Sequence, residues 1–142
     1  MVSINSYINF NGTTEAAFNF YKAALGGEFT SLQRFKDTPE GDKLNDTDKE
    51  KIMHVALPIG DTGLLMGTDA IESMGHKLIE GNNFSLSLNA GSDAEADELF
   101  SKLSAGGKVT LPMTRMFWGA YFGMFTDQFG IQWMVSSEQP KA

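Results

Sequence analysis

His54 lies in the run Ile52-Met53-His54-Val55-Ala56-Leu57-Pro58-Ile59, the only histidine of the chain in a strand-like stretch. An imidazole changes charge near neutral pH, so a histidine among apolar neighbours is a candidate ligand contact or proton carrier. Acid–base work would require an orienting carboxylate, and no Asp or Glu falls at a strand position pointing the same way. The catalytic residues are therefore left unassigned, and a purely structural His54 stands beside the functional reading. His76, next to Lys77 in a polar stretch, reads as solvated.

Trp118 heads the densest aromatic segment, Phe117-Trp118 followed by Tyr121, Phe122 and Phe125. Aromatic walls with a few polar groups suit a small organic molecule, which makes Trp118 and Tyr121 candidate ligand contacts; filling a core or a dimer seam is the bland alternative. Arg115, just before them, carries a guanidinium that can clamp a carboxylate or phosphonate, or simply occupy a loop. Eight methionines, among them Met66, Met113, Met116, Met124 and Met134, suit either an adaptable pocket or ordinary core filling.

The composition narrows the field. The 142 residues hold no cysteine, which removes disulfides, thiolate nucleophiles and cysteine-bound zinc or iron–sulfur sites. A formal charge of -7 opposes unspecific attraction to nucleic acid or anionic lipid. No apolar run approaches the ~18 residues of a membrane span. The start MVSINSYINF has neither a basic region nor a small-residue cleavage site, so a cytoplasmic protein is expected.

The elements that must position these residues are written twice. Ser6 to Phe10 reads as a strand, Asn11-Gly12 as a turn, and Thr13-Thr14-Glu15 opens a helix whose apolar Ala17, Phe18, Tyr21 and Leu25 recur at helical spacing. Gly26-Gly27 ends it. In the second half Phe84 to Leu88 reads as a strand, Ser92-Asp93-Ala94-Glu95 as a capping box, Leu99, Phe100 and Leu103 as an apolar stripe, and Gly106-Gly107 as the stop. At an offset of 80 residues Asn9 meets Asn89, Glu15 meets Glu95 and Phe20 meets Phe100.

Strand-like runs follow each helix: 28–35, 52–59 and 63–67, then 109–113, 120–126 and 131–135. The turns Gly60-Asp61-Thr62-Gly63 and Asp127-Gln128-Phe129-Gly130 make hairpins, and Asp127 is placed to bond backbone amides within its turn. The polar stretches 36–51 and 68–82 read as surface loops, the second linking the halves. The expected fold is α+β: two tandem βαβββ modules, 1–68 and 83–138, in a single domain of residues 1–142. They would form a curved eight-stranded mixed sheet with helices outside and a central cleft. Alternation puts Met53, Val55, Leu57 and Ile59 against a helix and turns His54 toward the cleft. It likewise places Ser85 and Ser87, and Gln132, Met134 and Ser136, on the polar cleft face.

This plan resembles the vicinal oxygen chelate superfamily, which includes glyoxalases, extradiol dioxygenases and bleomycin-binding proteins, and more closely its PhnB-like branch. The resemblance rests on Tyr7-Ile8-Asn9-Phe10-Asn11-Gly12, Glu15-Ala16, Phe20-Tyr21, Gly26-Gly27, Ile52-Met53-His54, Ile59-Gly60-Asp61, Phe117-Trp118-Gly119 and the run from Asp127 to Trp133. It implies a divalent metal held by His and Glu, with one ligand from the first and one from the last strand of each module. Here those positions align with Ser6 or Tyr7, Met66, Asn83 and Met134, so no metal and no cofactor is expected. The methyltransferase label carried by some PhnB-like chains finds no support, since both double glycines follow helices and none cradles a nucleotide-like cofactor.

The leading expectation is a metal-free member that binds a small organic molecule in the cleft, with His54, Trp118, Tyr121, Met134, Ser85, Ser87, Gln132 and Arg115 as candidate contacts. The alternative is an enzyme of the vicinal oxygen chelate type, a lyase, dioxygenase or transferase, using His54 and atypical metal ligands. A third reading is a structural dimer whose cleft is filled by its own side chains. A homodimer is expected in each case, because strand edges and Met and Phe surfaces need cover. Nucleic acid and membrane are not expected partners.

Overall fold

The computed structural model describes residues 2–138. The chain divides into two compact units, residues 1–80 and 81–142, each with its own four-stranded sheet and its own long helix.

In the first unit the order along the chain is β1 (Ser6–Phe10), α1 (Thr14–Leu25), β2 (Ser31–Arg34), the single turn α2 (Asp46–Lys49), β3 (Ile52–Ile59) and β4 (Gly63–Asp69). The strands lie in the order β1-β4-β3-β2, with β1 parallel to β4 and the other pairs antiparallel. A parallel pair cannot be closed by a tight turn, and the intervening helix and strands supply the crossover. Ala17, Phe18 and Tyr21 of α1 are fully buried over Val55, Leu57 and Leu65. Phe18 meets Phe10 and Tyr21 edge-on, at 6.2 and 5.6 Å between centroids. A Cβ on Gly67 would stand 2.5 Å from the Phe18 ring, so this position of β4 admits the helix only as glycine.

The second unit repeats the plan with β5 (Leu86–Ala90), α3 (Asp93–Ser104), β6 (Lys108–Arg115), β7 (Ala120–Thr126) and β8 (Gln132–Glu138), in the order β5-β8-β7-β6. Ala96 and Leu103 are fully buried beside Phe125, Trp133 and Val135. The two helix starts are built differently. Ser92 accepts from the Glu95 amide at 3.1 Å, the first half of the expected capping box, while Glu95 reaches one residue past the N-cap and accepts from the Gly91 amide at 3.0 Å instead of that of Ser92. Thr13 makes no side-chain cap bond, and α1 is closed instead by Asp69 at the far end of β4.

Both modules and both hairpins stand as the periodicity predicts. Asp127 accepts from the Phe129 and Ile131 amides at 2.8 and 3.1 Å, and also from Trp133 Nε1 at 2.8 Å, which satisfies the indole at a buried site. Differences lie at edges. The fifth strand starts at Leu86 rather than Phe84, because pairing with β8 begins at Leu86 opposite Trp133, while Gln132 Nε2 donates to the Phe84 carbonyl at 3.0 Å. The second strand starts at Ser31 rather than Glu28, and β4, β6 and β8 run two or three residues beyond their predicted C-terminal ends. The stretch 36–51 is not an open loop: two 3-10 segments and α2 fold it back, and they bury Phe35. In 68–82, Asp69, Ala70 and Ile71 are buried.

Candidate functional site

Each sheet has a face covered by its helix and an open face. On the open face of the first sheet, Tyr7, Met66, Ala56 and Ser31 stand in one cross-strand row, with Gln33 opposite His54. The Tyr7 and His54 rings are stacked at 5.9 Å and 30°, and Tyr7 Oη reaches His54 Nδ1 at 3.5 Å, the long limit of a hydrogen bond. His54 therefore lies on the face that alternation assigns to it, with a phenol rather than a carboxylate as partner. The sequence reading did not pair Tyr7 with His54. The signal lay in the parallel β1–β4 register, which brings position 7 beside Met66.

On the open face of the second sheet, Ser87, Met134, Met124 and Leu111 form the corresponding row. Beside it Ser136 Oγ donates to Asn89 Oδ1 at 2.9 Å. Met134, Ser87 and Gln132 thus share a face. Ser85 precedes β5 and is exposed.

Tyr121 and Arg115 lie on the other side of this sheet, against α3. Tyr121 donates to Asp97 Oδ1 at 2.7 Å, and Arg115 stacks on the Tyr121 ring at 5.1 Å while pairing with Asp93 and donating to the Gly119 carbonyl at 2.9 Å. The hydrogen bond to Asp97, then desolvation, raises the Tyr121 phenol above its ordinary value. The aromatic that β7 does present on the open face is Phe122, opposite Ser136 and Thr114. Trp118 sits at the tip of the β6–β7 turn, 57% exposed and edge-on to Phe117 at 4.9 Å, and Phe117 is 97% exposed.

The metal positions implied by the fold can be tested by their donors. First and last strands are in direct register, Tyr7 with Met66 and Ser87 with Met134, so the position aligned with Asn83 belongs to Ser87. A phenol with a thioether in one sheet, and a hydroxyl with a thioether in the other, are each a poor match for the hard or borderline divalent ions that carboxylate and imidazole hold. Among the described residues no group of three or more His, Cys, Asp or Glu side chains is placed to hold an ion. The residues do not fit the family's metal.

The first unit also has a hollow of about 240 Å³ bordered by Gly12, Glu15, Thr47, Glu50, Lys51 and Asp69. Its charged side chains are engaged: Glu15 with Arg34, Glu50 with Lys36 and Lys51 with Asp48. Arg34 holds the Glu15 carboxyl below its usual range, mainly through their hydrogen bond, and Glu15 raises Arg34 in turn.

Paired βαβββ modules, each with a parallel outer strand and an open polar face, define the glyoxalase-type scaffold. The chain belongs to the Glyoxalase/Bleomycin resistance protein/Dioxygenase superfamily, whose model matches residues 3–135. It is similar to the crystal structure of protein PA1353 from Pseudomonas aeruginosa, at 42% identity and a TM-score of 0.85 over 99% of this chain and 100% of that one. Protein YjdN of Escherichia coli K12 is 29% identical over 96% of this chain and 97% of its own. A Bacillus cereus PhnB protein, described as a putative 3-demethylubiquinone-9 3-methyltransferase, shares the fold at 22% identity and a TM-score of 0.76, over 96% of this chain and 99% of that one.

Proposed function

We propose that this protein binds a small organic molecule on the open faces of its sheets, without a divalent ion at the family's metal positions. The observation that carries this reading is the donor set Tyr7, Met66, Ser87 and Met134 where the family's chemistry calls for charged ligands. Stacked Tyr7 and His54 supply a polar handle, and Met66, Met124 and Met134 supply surfaces that repack around an apolar body. Methyl-labelled methionine spectra recorded against an aromatic fragment library test it. Saturable shifts at Met66 or Met134, with Met113 unmoved on the α3 side of its sheet, support binding; a library that moves none of them counts against it.

A second reading, an enzyme using His54, is favoured by the Tyr7–His54 contact, since a phenol beside an imidazole can pass a proton. Replacing His54 with Ala should weaken binding under either reading, because it removes half of the polar handle, and should abolish turnover only if this reading holds. Pairing of two chains in the cytoplasm belongs to the same proposal. It is motivated by the exposed Phe117, Trp118 and Val109, and sedimentation at micromolar concentration tests the dimer.

A further inference from the structure

Resting on that binding reading, we propose that the bound molecule is uncharged: an aromatic body carrying hydroxyl, carbonyl or amide groups, with no carboxylate or ammonium where it meets the protein. The chain has 29 Lys, Arg, Asp and Glu residues, yet the central rows of both open faces hold none. On the first sheet the polar atoms come from Tyr7, Asn9, Ser31, Gln33, His54 and Thr68; on the second, from Ser87, Asn89, Thr114, Gln132 and Ser136. Formal charges enter the second face only at its two ends, at Lys108 opposite Thr126 and Glu138 opposite Ala120.

The arginines that would clamp an anion are directed elsewhere. Arg34 pairs with Glu15, and Arg115 pairs with Asp93 under the Tyr121 ring. A ligand bearing a full charge would lose water at these faces and find no opposite charge, a loss that neutral hydroxyl and amide groups avoid by exchanging one hydrogen bond for another. Hydroxyls, amides and thioethers favour a neutral partner by the same reasoning that disfavours an ion.

The test is a fragment series in which each neutral aromatic amide or phenol is matched with its carboxylate and its ammonium analogue, titrated against the full chain and read at the Met66 and Met134 methyls. The expected result is that neutral members bind about tenfold or more tightly than either charged counterpart. In Met66→Lys, read at the ring protons of the neighbouring Tyr7 and His54 instead, the preference should turn to the carboxylates. Carboxylate or ammonium analogues that match or beat the neutral members on the unaltered protein would overturn this ligand class while leaving the binding reading intact. No saturable shift from any member would remove the binding reading, and this inference with it.

Discussion

The carboxylate of Asp69 closes the N-terminus of a helix that begins 55 residues earlier, accepting from the Thr14 amide at 3.0 Å and the Thr14 hydroxyl at 2.6 Å. The same oxygen takes the Gly12 amide at 3.1 Å, and the second oxygen takes the Ile52 amide at 2.8 Å. One buried side chain thus ties together the last strand, the first helix and the start of β3. Replacing Asp69 with Ala leaves those donors unpaired, and a loss of about 3 kcal/mol is expected from their desolvation. Asp69→Asn should lose less, because one oxygen remains to accept. Chemical denaturation of both variants checks the order.

Each helix sets a phenylalanine against a glycine of its sheet. A Cβ at Gly67 would lie 2.5 Å from Phe18, and one at Gly123 would lie 2.8 Å from Phe100 and 2.6 Å from Met113 Sδ. Overpacking of this kind costs about 1–3 kcal/mol. Gly67→Ala should exceed Gly123→Ala in a thermal melt, because the thioether of Met113 yields more readily than a fully buried Phe18 ring.

Tyr121 carries a phenol raised above its ordinary value, first by its hydrogen bond to Asp97. A raised folded value means that this contribution to stability is complete below the ordinary phenol range and disappears as pH rises through the folded value. In Asp97→Ala the Tyr121 titration, followed at the labelled ring carbon, should move down toward an unperturbed tyrosine.

Glu15 shows the opposite sign. Arg34 lowers its carboxyl pKa, so the pair's contribution is present above the ordinary glutamate range and is lost as pH falls through the lowered folded value. The side chain is 46% exposed, and screening reduces the contribution to roughly a few tenths of a kcal/mol. Arg34→Met should raise the Glu15 titration by carboxyl NMR and flatten the acid limb of stability in that window only.

Local patterns carried most of the fold: the helical spacing of Ala17, Phe18 and Tyr21, the Ser92 cap on the Glu95 amide, and the Asp127 turn all depend on residues within a few positions of one another. Features set by long-range pairing escaped them. Asp69 as the cap of α1 needs the β1–β4 register, and the start of β5 depends on where β8 begins. The site divided in the same way. Alternation put His54, Ser87, Gln132 and Met134 on the face that the register gives them, whereas Tyr121, a candidate contact from the aromatic run alone, lies on the α3 side. In β7 the odd positions Tyr121, Gly123 and Phe125 all turn to α3, and the partner strand β6 changes register twice, so no simple alternation phased the segment from its neighbour.

Titration with Mn²⁺ while observing the eight methionine methyl signals bears most directly on whether these faces serve an organic molecule or an ion. With the donor set found here, Met66 and Met134 should show no saturable, selective broadening as one equivalent is added, while matched neutral aromatics continue to shift them. Stoichiometric broadening confined to either methyl would contradict it, and would place a cation beside a first-and-last-strand pair, Tyr7 with Met66 or Ser87 with Met134, that offers it no charged ligand.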